Sequence, residues 1–205
     1  VAYEQQNNSV GAGFDGLTSN IAIGSDTSIG NIFSGGGHIS ATINPKSDGE
    51  GNNGAILRKW GGWICGVKQE SAGFVKLNFY VDFSTTNGEW RTTNVVIPIN
   101  ETSKIEVFYN ADSVSNEPIF VINGIKYTVG NGLTVLSFPV GSYNSDTGNI
   151  LNIGNTGASG TQTFEGLIDN TKLSDSSAPS SEAITSYNAE KSDSDIITAG
   201  DENTQ

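Results

Sequence analysis

Aromatic side chains are the residues of this chain best suited to holding a ligand. Sugars are neutral and broad, and their sites pair an aromatic face with Asn, Asp and backbone groups. Trp60, Trp63 and Trp90 are the candidate platforms, with Tyr80, Tyr109 and Tyr143 behind them. Trp90 follows Asn87-Gly88, a turn signal, and reads as the best exposed of the set. Trp60 and Trp63 flank Gly61-Gly62, where the chain turns. One of that pair can point outward, although core packing suits each of them.

Catalytic groups are sparser. Retaining glycoside hydrolysis needs two carboxylates about 5 Å apart, which i, i+2 spacing on a strand can supply. No strand segment carries E-x-D-x-x-E, and the nearest cluster, Asp48 with Glu50, lies in a Gly/Asn-rich stretch that reads as a solvated loop. His38, the single histidine, has no G-x-S-x-G near it and reads as the start of a strand after Gly35-Gly36-Gly37. Cys65, between Ile64 and Gly66, reads as a buried thiol in a core strand. Gly-rich segments such as SGGG lack the strand-to-helix setting of a phosphate loop. The chain therefore reads as a binding module with no catalytic residues.

The elements that position these residues are strands. In FVKLNFYVDF (74–83), Val75, Leu77, Phe79, Val81 and Phe83 share one face, and Lys76, Asn78, Tyr80 and Asp82 share the other. PIFVINGIKYTV (118–129) reads as two strands joined at Asn123-Gly124. Further strand signals cover 12–16, 19–24, 36–45, 54–60, 62–68, 104–111, 133–140, 149–154 and 163–169, and Pro98 marks a strand end or edge. About a dozen short strands parted by Gly/Asn turns mean an all-β sandwich or barrel. A helical segment at 180–190 and an acidic flexible tail over 191–205 complete the reading. Residues 1–11 read as an N-terminal arm and 12–190 as one domain.

Composition limits the partners. The 205 residues hold 10 Lys and Arg against 22 Asp and Glu, a formal charge of −12. That balance disfavours a nucleic-acid backbone and an anionic membrane surface. One cysteine rules out a disulfide within the chain and a cysteine-built zinc site. No apolar run is long enough to cross a membrane as a helix. The start, VAYEQQNNSV, lacks the pattern of a signal peptide, and the chain has no Met. It reads either as a product trimmed of its initiator or as an excised piece of a longer protein.

GFDGLTSNIAIG, GGHISATINPKSDGEGNNGAILRKWGGWICGVK, the FVINGIKYTV pair, LNIGNTG and TFEGLIDNTKLSDSSAPSSEAI resemble, in order and spacing, the laminin-G-like, concanavalin-A-like β-sandwich family. Phe14-Asp15-Gly16, Ile122-Asn123-Gly124 and Phe164, Gly166, Ile168, Asp169 carry the likeness. The resemblance implies a two-sheet antiparallel jelly roll, in a family whose members include sugar binders, often with calcium at the sheet rim, and adhesive or virion proteins. It places Asp15 and Asp169 as possible calcium ligands, or as acceptors of backbone N–H groups in turns. Two functions are compatible with it. One is lectin-like glycan recognition on a particle or cell surface. The other is a capsid decoration or virion structural role among other protein subunits, as a possible homo-oligomer.

Overall fold

Alternation of apolar and polar residues becomes alternation of strand faces. The computed structural model describes residues 2–6, 9–157 and 161–176. Its strands are β1 (Ala2–Gln6), β2 (Ser9–Asp15), β3 (Ile21–Gly24), β4 (Gly37–Pro45), β5 (Asn53–Lys59), β6 (Trp63–Ser71), β7 (Phe74–Val81), β8 (Gly88–Thr92), β9 (Ile97–Pro98), β10 (Ser103–Tyr109), β11 (Ile119–Ile122), β12 (Ile125–Val129), β13 (Gly132–Ser137), β14 (Leu151–Ile153) and β15 (Glu165–Ser174). The helix expected at 180–190 and the acidic tail lie outside the described residues. β1, within the expected N-terminal arm, pairs with β2.

Hydrogen bonds link the strands in one path. One layer runs β1-β2-β15-β4-β10-β11-β12 and the other β13-β8-β7-β6-β5-β14-β3. The layers join through a two-residue parallel pair, Thr128 with Gly132 and Val129 with Leu133. Every other strand pair is antiparallel. Pro98 sits in the two-residue β9, opposite Phe74, where its missing donor costs no central ladder bond.

The core lies between the layers. Phe79 of β7 meets Phe120 of β11 edge-on at 6.4 Å, and Trp90 of β8 meets Tyr109 of β10 at 5.2 Å. Across the second layer one inward row reads Leu57, Cys65, Phe79, Trp90. The next row outward reads Asn152, Arg58, Ile64, Tyr80, Glu89. The period-two reading of 74–83 therefore holds: Val75, Leu77, Phe79, Val81 and Phe83 are buried.

Two turns show how local chemistry sets register. Asn123 and Gly124 both take left-handed φ, +49° and +75°, and Ile122 pairs with Ile125, the geometry of a two-residue hairpin. Asn123 Oδ1 also accepts the Lys104 N–H at 2.9 Å. The Asn87-Gly88 pair behaves differently. Asn87 Oδ1 accepts the Phe83 N–H at 2.8 Å, so the turn closes over 83–87, and Gly88 opens β8. A Cβ on Gly88 would stand 2.4 Å from Trp90 Cη2, so glycine is there to admit the indole.

Candidate functional site

Trp60 follows β5 and shares the outward face with Arg58, two residues earlier. The Arg58 guanidinium carbon lies 4.2 Å from the indole centroid, while 57 % of Trp60 remains exposed. Lys59, between them, turns inward and is fully buried, donating from Nζ to the Ile29 carbonyl at 2.8 Å. Gly61, at φ +66°, reverses the chain into β6.

Trp60 forms one wall of a cleft of about 460 Å³ whose other side chains include Asn20, Asn149, Ile150 and Asn152. Asn20 Oδ1 is buried there without a hydrogen-bond partner among the described residues. Carboxylates and histidine are absent from the described lining. The arrangement offers a flat apolar face beside amide groups, which suits a hydroxylated ring and supplies no group for acid–base chemistry.

Beyond the Arg58–Trp60 pair, a groove of about 300 Å³ crosses the outer face of β5–β8, lined by Arg58, Lys68, Asn78, Tyr80, Asp82 and Glu89. Glu89 Oε1 lies 3.4 Å from Lys68 Nζ and 3.1 Å from Arg91 Nη2, and Arg91 Nε donates to Asn78 Oδ1 at 2.8 Å. Tyr80 receives a hydrogen bond from Asn87 Nδ2. Burial, helped by the Asp82 carboxylate, pushes its phenol up to about 12. Arg58 donates to Gln162 at a long 3.5 Å, its Nε is buried without an acceptor among the described residues, and burial lowers its affinity for its proton.

The remaining expected site residues lie elsewhere. Trp90 is 1 % exposed, which corrects its reading as the best outward platform: its neighbours Glu89 and Arg91 face out, so parity sends the indole inward, onto Phe79. Trp63, one residue out of step with Ile64 of the outward row, is fully buried against Phe33. Tyr109 is also buried. Tyr143 donates its hydroxyl to the buried Asp146 at 2.8 Å and packs edge-on to Phe83, a structural role away from the Trp60 cleft. Tyr80 alone joins Trp60 on the outer face, across Ile64 and Arg58.

Acidic residues serve turns. Asp15 Oδ1 accepts the N–H groups of Ser19, Leu17 and Thr18, which hold its carboxyl well below the ordinary range. Asp169 Oδ1 accepts the Asn170 N–H at 2.7 Å. The two are not brought together: Asp15 is in register with Glu165, about 13 Å along β15 from Asp169. No group of three or more His, Cys, Asp or Glu converges among the described residues. Asp48 and Glu50, read as a solvated pair, are pins instead. Asp48 is 8 % exposed and accepts the Glu70 N–H at 3.0 Å, and Glu50 Oε2 accepts the Thr163 hydroxyl at 3.0 Å.

Sequence reasoning missed Arg58, Asn20, Asn149 and Asn152. Parity could have linked Trp60 with Arg58, but the buried lysine beside them inverts the usual rule that the aromatic goes in and the charge goes out. The three asparagines converge from segments some 130 residues apart, and nothing local announces that.

No protein-family model matches the chain, and no curated protein matches it in sequence. Solved structures do. A heptameric SAP-like pentraxin from Limulus polyphemus aligns at TM-score 0.59 and 13 % identity, over 84 % of this chain and 79 % of that one. Domain 4 of a GH43 extracellular arabinanase from Geobacillus stearothermophilus, in complex with arabinotriose, aligns at 0.59 and 15 %, over 91 % and 80 %. The CBM40 of Ruminococcus gnavus IT-sialidase, bound to alpha2,3 sialyllactose, aligns at 0.52 and 13 %, over 84 % and 99 %. At such identities the likeness speaks for the fold: an all-β, concanavalin-A-like jelly-roll sandwich.

Proposed function

We propose that the domain is a non-catalytic glycan-binding module and that the sugar ring lies in the Trp60 cleft. The observation that carries this is the contrast among the tryptophans. Two are spent on the core, and the third stands exposed among asparagines, with Asn20 Oδ1 buried and without a donor among the described residues. The arabinotriose and sialyllactose complexes of proteins with this fold support the choice of ligand class. Such a module acts where glycans are displayed, at a cell or particle surface.

A glycan microarray of neutral, carboxylated and sulfated oligosaccharides, followed by titration calorimetry on hits, tests the reading. Binding that Trp60→Ala weakens at least tenfold without loss of fold supports it. An array silent throughout, or binding indifferent to Trp60→Ala, overturns it.

A further inference from the structure

We propose that the glycan carries a carboxylate and that Arg58 reads it, a step that rests on the glycan-binding reading above. Arg58 stands on the ridge between the Trp60 cleft and the outer groove, stacked on the platform itself. Three other cations of the described surface are matched. Lys68 and Arg91 share Glu89, and Lys104 lies 3.7 Å from Glu106. Arg58 enters none of these pairs. Asp82 exerts a field on it from the same groove, but the two do not form an ion pair. One long bond from Nη1 to Gln162 leaves the outer end of the guanidinium fork short of oxygens among the described residues.

A planar carboxylate fits that deficit, because two parallel N–H···O bonds match its two oxygens. Net charge sharpens the argument. A chain of charge −12 repels an anionic ligand at long range, so capture of one demands a cation placed at the contact. The cation here adjoins the exposed tryptophan, where a saccharide stacked on the indole can present an acidic substituent to it.

Matched probes decide the matter. Wild-type protein is titrated with a carboxylated oligosaccharide, its neutral methyl ester and its sulfated counterpart. The carboxylated form is expected to bind about tenfold or more tighter than the ester, as loss of a charge-assisted pair implies. Arg58→Gln should bring the acid-to-ester affinity ratio to about one, whatever it does to the affinity for the ester, and Arg58→Lys should restore only part of the preference. Equal affinity for acid and ester in the wild type overturns the role of charge and leaves the glycan reading standing. So does a preference for acid that survives Arg58→Gln. A sulfated probe that outbinds the carboxylated one overturns the carboxylate assignment. Silence toward all three, with an empty array, removes both readings. The wild-type acid–ester comparison needs no variant, so a folding defect in Arg58→Gln cannot blur it.

Discussion

Exchanging Trp60 and Trp90 separately for alanine gives the sharpest test of how the layers divide labour. Trp90 is 1 % exposed and touches Phe79 and Tyr109, so Trp90→Ala opens a cavity at the centre of the core. Truncating a buried Phe or Trp costs about 3–5 kcal/mol. For a domain of this size that lowers the melting temperature by roughly 6–20 °C. Trp60 is 57 % exposed, which leaves about 100 Å² of a Trp surface covered and its stacking on Arg58 to lose. Trp60→Ala should cost about 1–2 kcal/mol, since area bookkeeping gives an upper bound. Binding reverses the order. An aromatic anchor at the centre of a contact contributes about 2 kcal/mol, so Trp60→Ala should weaken glycan affinity roughly 30-fold. Differential scanning calorimetry and titration calorimetry on the two variants measure both quantities. Equal melting losses, or a Trp90→Ala protein that stays fully stable yet loses its ligand, would refute the assignment of inward and outward rows.

Three further outcomes are expected. His38 stacks on Phe108 at 4.3 Å, and burial, with Lys104 and Lys172 adding, lowers its pKa to about 4. The unfolded chain then takes up the proton first, so stability should fall as pH drops from about 6.5 to about 4. For this half-buried, solvent-screened ring the loss is on the order of 1 kcal/mol, and His38→Phe should flatten that part of a pH series of urea melts. Gly166 holds φ +132°, and a Cβ there would fall 2.1 Å from the Asn44 carbonyl oxygen, so Gly166→Ala should cost at least about 3 kcal/mol in chemical denaturation. The Cys65 thiol is fully buried and pushed up to about 12, so a thiol reagent should label it only after denaturant unfolds the domain.

Much of the fold was legible because strands announce themselves locally. FVKLNFYVDF states which side chains go in, and Asn123-Gly124 states where the chain turns, since both signals depend on near neighbours only. The site was less legible because it depends on exceptions. Ala55, Ile56 and Leu57 are all buried around a register shift in β5, so simple alternation breaks just before Arg58, Lys59 and Trp60. Lys59 is drawn inside by the Ile29 carbonyl, thirty residues away, and the indole is left outside. Trp90 erred the other way. The turn signal before it suggests an outward ring, whereas its place between the outward-facing Glu89 and Arg91 sends the indole inward.

The short parallel contact between β12 and β13 has a bearing on self-assembly. It stitches one flank of the sandwich shut, so among the described residues the hydrogen-bonded path ends at β1 and β3, strands of five and four residues, with the two-residue β9 off the path against β7. Brief terminal edges are poor templates for adding a foreign strand. The described edges open to such pairing are thereby short, and one of them, β3, borders the proposed glycan cleft through Ala22. Occupancy of that cleft and growth of a filament from that edge would compete for the same few residues.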